Sequence, residues 1–171
     1  GYLAVSFTFG MMAVKDHIGI LQAVIISLTN VTSAGQFAGL DIIVAGGSLI
    51  EMALTQLIIN LRYSLMSISL SQKLQKGTGT GKRLLLAYSV TDEIFGVSAA
   101  RKGKLNIFYS YGAIAVAVPG WVLGTALGAI SGSIMPAFLM SAFSVAIYGM
   151  FLAIIIPPAK ENKAVLGVVL A

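Results

Sequence analysis

The sequence has no cysteine, a single histidine and few charges. Without cysteine there are no disulfides and no thiolate metal sites. His17 has no second His or Cys nearby, so it reads as a loop or interfacial residue and no metal is expected. Charged residues are 10% of the 171, against about 25% in an ordinary soluble domain. That is too few to coat a water-facing surface. No basic n-region and no cleavage site mark a signal peptide.

What is present is apolar: 57% hydrophobic residues and a mean hydropathy of +0.93. The fold class that follows is all-α, a polytopic integral membrane helical bundle with about six to seven transmembrane segments. Residues 1–171 read as one transmembrane domain. Both ends lie inside apolar runs and are read as cuts within spans of a longer protein. The net charge of +5 does not signal nucleic-acid binding. The cations sit in short gaps between apolar runs, where they act as membrane-surface anchors and topology signals.

The apolar runs cover 1–14, 18–45, 48–70, 84–100, 105–131, 134–157 and the start of a seventh from 164. As one helix, 18–45 would be roughly 42 Å long, more than the ~30 Å hydrocarbon core. Its polar middle, "SLTNVTSAGQF", predicts a break near 32–36. The loop "SQKLQKGTGTGKR" (71–83) has glycines before a lysine, but a P-loop needs other spacing and a Ser or Thr after the Lys. If the second run, 18–45, crosses once, the charges tie. Lys15, Lys73, Lys76, Lys82 and Arg83 lie on one side, with Arg101, Lys102, Lys104, Lys160 and Lys163 on the other. The positive-inside rule is then silent.

Arg62 stands near the centre of its run, and Thr91-Asp92-Glu93 near the centre of the run joined to it by one loop. The two centres reach similar depth, so Asp92 or Glu93 is the expected partner of Arg62. An unpaired charge there costs at least ~2.5–3.5 kcal/mol. Two acids and one guanidinium leave one negative charge for a proton, a cation or a substrate ammonium. A register-fixing ion pair is the plainer alternative. Polar residues on opposite sides of 48–70 (Glu51 and Arg62; Gln56, Asn60, Ser64 and Ser67) predict a helix buried on both sides or unwound near Asn60.

Ser33 and Gln36 fit a capping box, so a half-helix starting after Ser33, with Gly35, would offer free N–H groups to a carboxylate. Substrate binding is therefore assigned to Ser33, Gly35, Gln36, Phe37 and Asn60, with Ile59 and Phe95 adding apolar lining. Charge or proton coupling is assigned to Arg62, Asp92 and Glu93. Gly120, Gly124, Gly128 and Gly132 recur every four residues and form a ridge for close helix packing. Pro119 and Pro136 are expected to kink or start helices. There is no His pair for a metal and no nucleophile–base pair, so no enzyme and no cofactor is expected.

Three stretches carry a resemblance: "SAGQF" (33–37), "NLRY" (60–63) and "TDEIF" (91–95). Their order and spacing resemble those of the AzlC-type branched-chain amino acid exporters, over about 1–100. Tyr63 departs from the family's usual His. The resemblance implies the large subunit of a bacterial exporter of valine, leucine and isoleucine, multi-pass in the inner membrane. A small hydrophobic AzlD-type subunit is its implied partner, and homo-oligomerisation stays open. Against a small apolar amino acid exporter stand two alternatives: a transporter or channel for another small solute or ion, and a structural or assembly subunit without transport of its own.

Overall fold

A computed structural model describes residues 2–132, together with Phe138 and Val145. Seven helices are formed among these: α1 (Tyr2–Lys15), α2 (Ile20–Thr29), α3 (Ser33–Val44), α4 (Leu49–Lys73), α5 (Thr80–Ser89), α6 (Asp92–Ala99) and α7 (Ile107–Gly132). No strand occurs among the described residues beyond one isolated bridge, Leu74 to Leu105. The expected sixth and seventh runs, and Pro136, lie outside the described residues.

At 1.5 Å per residue, α7 with 26 residues is roughly 39 Å long and α4 with 25 roughly 37 Å. By length and composition α7 is the one described helix long and apolar enough to cross a membrane. α4 has the length, but Gln56, Asn60 and Arg62 lower its apolarity. Pro119 sits inside α7 without ending it. The remaining helices have 8–14 residues, too few to span singly.

Run 18–45 breaks after Thr29, as expected, but the chain then turns back. Ile43, near the end of α3, lines a cleft with Ile18 and Gln22 at the start of α2. A continuing helix would hold these residues roughly 30 Å apart or more. The 84–100 run, expected as one span, does the same. Arg83 of α5 reaches Ser71 of α4 at 2.7 Å, Asp92 meets Arg62 at 3.2 Å, and the Lys73 ammonium bonds the Ala99 carbonyl. Going up α6 means going up α4, so α6 retraces the path of α5. The backbone ties Leu105 to Lys73 and Gln75.

Two half-depth hairpins therefore enter from opposite ends. α2/α3 comes from the end where α1 finishes, the Lys15 end. α5/α6 comes from the end where α4 finishes, the Lys73 end. The tips meet in the middle, where the Tyr88 hydroxyl donates to the Leu28 carbonyl and the Tyr2 and Thr91 hydroxyls bond. Lipid-exposed backbone at that depth would be unsatisfied. Here the freed groups lie between α1, α4 and α7.

α1 packs along α7 through glycine. A Cβ on Gly124 would collide with Ser6, on Gly128 with the Phe7 backbone, and on Gly132 with Met11. Gly10 opposes Thr125 and Ala129 in the same way. Gly120 meets nothing, so three of the four ridge glycines make the contact. α4 is one continuous helix, against the expectation of unwinding or burial on both sides. Ile50, Leu54, Leu57, Ile58, Leu61, Leu65 and Ile68 make an exposed apolar stripe, spaced to lie on one face.

Candidate functional site

The first tip is Asn30-Val31-Thr32. Thr32 is the N-cap of α3, one residue before the expected Ser33, and it makes no side-chain cap to the helix. Its hydroxyl donates instead to Asn30 Oδ1 at 2.7 Å. No acid occupies the first turn of α3, so its leading N–H groups and positive dipole end are uncompensated by charge.

Gln36 does not close a capping box. Its side chain points into the bundle, where Nε2 donates to Ser27 Oγ at 2.7 Å and Oε1 accepts from Trp121 Nε1 at 2.7 Å. Ser27 and Thr125 join hydroxyls at 2.6 Å. All four residues are buried. This closed chain fastens α2, α3 and α7 together, and it leaves Gln36's amide with a structural task. Phe37 packs edge-on to Phe9, 5.6 Å between centroids, in the core between α1 and α3.

Gly35 faces α4. Gln56 Nε2 donates to the Gly35 carbonyl at 2.7 Å, and Asn60 Nδ2 donates to Gln56 Oε1 at 2.9 Å. A Cβ on Gly35 would intrude on Thr32 Oγ1, Gln56 Oε1 and Asn60 Oδ1 together. Among the described residues Asn60 Oδ1 is the buried side-chain polar atom without a hydrogen-bond partner. A buried acceptor of this kind costs about 1–3 kcal/mol unless a donor reaches it. Beside it lies a cleft of about 220 Å³ lined by Ile26, Asn30, Gly35, Leu40, Ile43, Met52 and Gln56. Drug-sized pockets are about 300–1,000 Å³; this one suits a smaller ligand with an apolar side chain.

The second tip is Val90-Thr91. Thr91 caps α6, accepting from Ile94 N at 3.4 Å. Here the first turn carries both Asp92 and Glu93. Arg62 pairs with Asp92 at 3.2 Å, each side chain about 40% exposed. Its guanidinium also donates to the Tyr63 hydroxyl at 2.9 Å. Tyr63 is thus a direct neighbour of the ion pair. Among the described residues Glu93 has no cationic partner, and it stands beside the Tyr2 hydroxyl.

The structure so brings Gly35 and Asn60 together, and separately Arg62, Asp92 and Glu93. Ser33 opens α3, half-buried. Gln36 lines the cleft while its amide is engaged by Ser27 and Trp121, and Phe37 packs against Phe9. Sequence reasoning missed the second break and the roles of Thr32, Thr91, Tyr2 and Tyr88. A signal was there: Val31-Thr32 precedes Ser33, and Val90-Thr91 precedes Asp92. The same dipeptide marks both tips.

The sequence profile described as AzlC protein matches residues 1–135. The chain belongs to the AzlC family. This AzlC-family chain is 32% identical over 136 residues to the inner membrane protein YgaZ of Escherichia coli K12, covering 77% of the chain and 56% of YgaZ. It is 30% identical over 161 residues to an uncharacterized membrane protein of Archaeoglobus fulgidus, covering 93% of the chain and 70% of that protein. A third relative, an uncharacterized membrane protein of Helicobacter pylori, is 28% identical over 137 residues. The chain spans 56% of YgaZ and 59% of the Helicobacter protein, somewhat over half of either. No solved structure matches. The relatives are membrane proteins, and membrane placement of this chain follows from the family.

Proposed function

We propose that this chain is the core of a multi-pass bacterial inner-membrane secondary transporter that exports small apolar amino acids, branched-chain ones first among them. The observation that carries the reading is the contrast between the two tips. The start of α3 has no acid in its first turn; the start of α6 has two. A zwitterion matches this pair. Its carboxylate suits the N–H groups at Ser33–Gly35, and its ammonium suits Asn60 Oδ1 or the acids. Discontinuous helices meeting at mid-depth bind substrate in this manner in other transporter folds.

The apolar cleft wall of Ile26, Leu40, Ile43 and Met52 supports an aliphatic side chain. Arg62 pairs with Asp92, and Glu93 lies beside it in the same helix turn; in this reading Asp92 or Glu93 takes the substrate ammonium or the coupling proton. A small hydrophobic AzlD-type subunit completes the transporter in this reading.

The test is valine and leucine efflux from preloaded vesicles. They would hold the full-length protein with its small partner, with and without a proton gradient. Gradient-dependent efflux lost in correctly inserted Asp92→Asn and Glu93→Gln supports the reading. Well-inserted wild type without branched-chain efflux overturns the substrate. Normal efflux in both acid variants and in their double overturns the coupling role.

A further inference from the structure

The two hairpins regroup the charges. Because α5/α6 returns to the end from which it entered, the loop after α6 joins the loop after α4. The Lys73 end therefore gathers Lys73, Lys76, Lys82, Arg83, Arg101, Lys102 and Lys104, seven cations. No acid accompanies them among the described residues. Among the described residues the Lys15 end has one cation, Lys15, with Asp16, Asp41 and Glu51. Among the described residues the five-to-three split expected from two crossings becomes seven to one; Lys160 and Lys163 lie outside them.

The basic end is also built as a headgroup-facing layer. Lys73 and Arg83 are half-buried and tied to backbone: Lys73 to the Ala99 carbonyl, Arg83 to the Thr78 carbonyl at 3.0 Å. Lys76, Lys82, Arg101, Lys102 and Lys104 are exposed. Lys82 lies over the Phe108 ring at 5.1 Å and Arg101 over Tyr109 at 4.6 Å. Both rings are themselves exposed, Phe108 by 64% and Tyr109 by 40%. Exposed aromatics beneath a ring of cations mark the level where hydrocarbon gives way to headgroups.

We propose that the Lys73 end is the surface that docks on the anionic headgroups of the cytoplasmic leaflet, and that it fixes the orientation of the chain. The positive-inside rule counts Lys and Arg in short loops, and both loops here are short. Cytoplasmic anionic lipids attract such a cluster electrostatically. It follows that α5/α6, with Asp92 and Glu93, enters from the cytoplasm. The α2/α3 hairpin enters from the opposite side. This rests on membrane placement and topology and does not depend on what is transported.

The chain has no cysteine, which suits a single-cysteine test. Thr78→Cys, Lys102→Cys and Asp16→Cys would be placed singly in the full-length protein with any other cysteine replaced by serine. Membrane-inserted protein would be labelled with an impermeant maleimide in intact spheroplasts and in inverted vesicles. Thr78→Cys and Lys102→Cys are expected to label at least tenfold faster in inverted vesicles, and Asp16→Cys at least tenfold faster in spheroplasts. Both Lys73-end sites labelling from outside overturns the orientation. Thr78→Cys and Lys102→Cys labelling from opposite sides overturns the hairpin topology and the proposal with it. Equal labelling in both preparations overturns a fixed orientation. In a Lys76/Lys82/Lys102/Lys104→Gln background, Thr78→Cys is expected to lose part of its one-sidedness. Unchanged one-sidedness there overturns the role of the cations.

Discussion

The Tyr88 hydroxyl, two residues before the tip of α5/α6, donates to the Leu28 carbonyl in the last turn of α2. This bond couples two hairpins that enter from opposite ends, and the Tyr2–Thr91 bond ties α1 to the second of them. Tyr88→Phe leaves the Leu28 carbonyl at mid-depth without that donor. A hydrogen bond of this kind contributes a net ~0.5–1.5 kcal/mol. A matching drop in thermal stability in detergent is expected, with hydrogen exchange rising at residues 28–32 before it rises in α7.

Arg62→Ala leaves Asp92 without its cation. Removing one partner is worse than removing both charges, and on the transporter reading proposed above, which sets the pair near the bilayer centre, an unpaired charge costs at least ~2.5–3.5 kcal/mol. Arg62→Ala is expected to lower stability by that order. Arg62→Ala with Asp92→Asn should recover most of it while remaining inactive. Thermal unfolding followed beside flux separates the two effects. If the double variant is no more stable than the single, the pair is not the source of the loss.

Gly128→Ala puts a methyl group into the Phe7 backbone. Overpacking costs typically about 1–3 kcal/mol, and backbone cannot swing aside as a side chain does. Gly120→Ala meets nothing and is expected to be neutral. The contrast would be read from the yield of monodisperse protein after extraction. Equal yields would mean that α1 and α7 are farther apart than the structure has them.

Gly35→Ala tests the cleft. Its Cβ would fill the space shared by Thr32, Gln56 and Asn60 without removing any polar group. A rise of tenfold or more in KM for efflux is expected, with insertion and expression unchanged. Unchanged KM would move the substrate site elsewhere.

Much of this site was legible in the sequence, for identifiable reasons. Arg62 and Asp92 were placed at one depth by counting residues from a shared loop. That count holds because α5 runs antiparallel to α4. The break near 32–36 followed from length and polarity. What hydropathy cannot register is a chain that turns back, since a run of apolar residues looks the same whether it crosses or returns. The 84–100 run gave a hint: 17 residues reach roughly 26 Å, short of the ~30 Å core. The capping-box spacing of Ser33 and Gln36 at a helix start points to a ligand role for Gln36. Only the placement of Ser27, Thr125 and Trp121 around it reveals that its hydrogen bonds are already made.

The closed chain of Gln36, Ser27, Trp121 and Thr125 also sets an order of assembly. Ser27 and Gln36 are made long before Trp121 and Thr125 leave the ribosome. Until α7 arrives, the Gln36–Ser27 pair inside the first hairpin lacks Trp121 and Thr125, and α1 lacks the glycine-lined wall that holds it. The early third of the chain therefore waits in the bilayer, or beside the insertion machinery, for the helix that completes it. A ribosome stalled before residue 121 should leave the first hairpin open to protease or solvent, and release past residue 132 should close it.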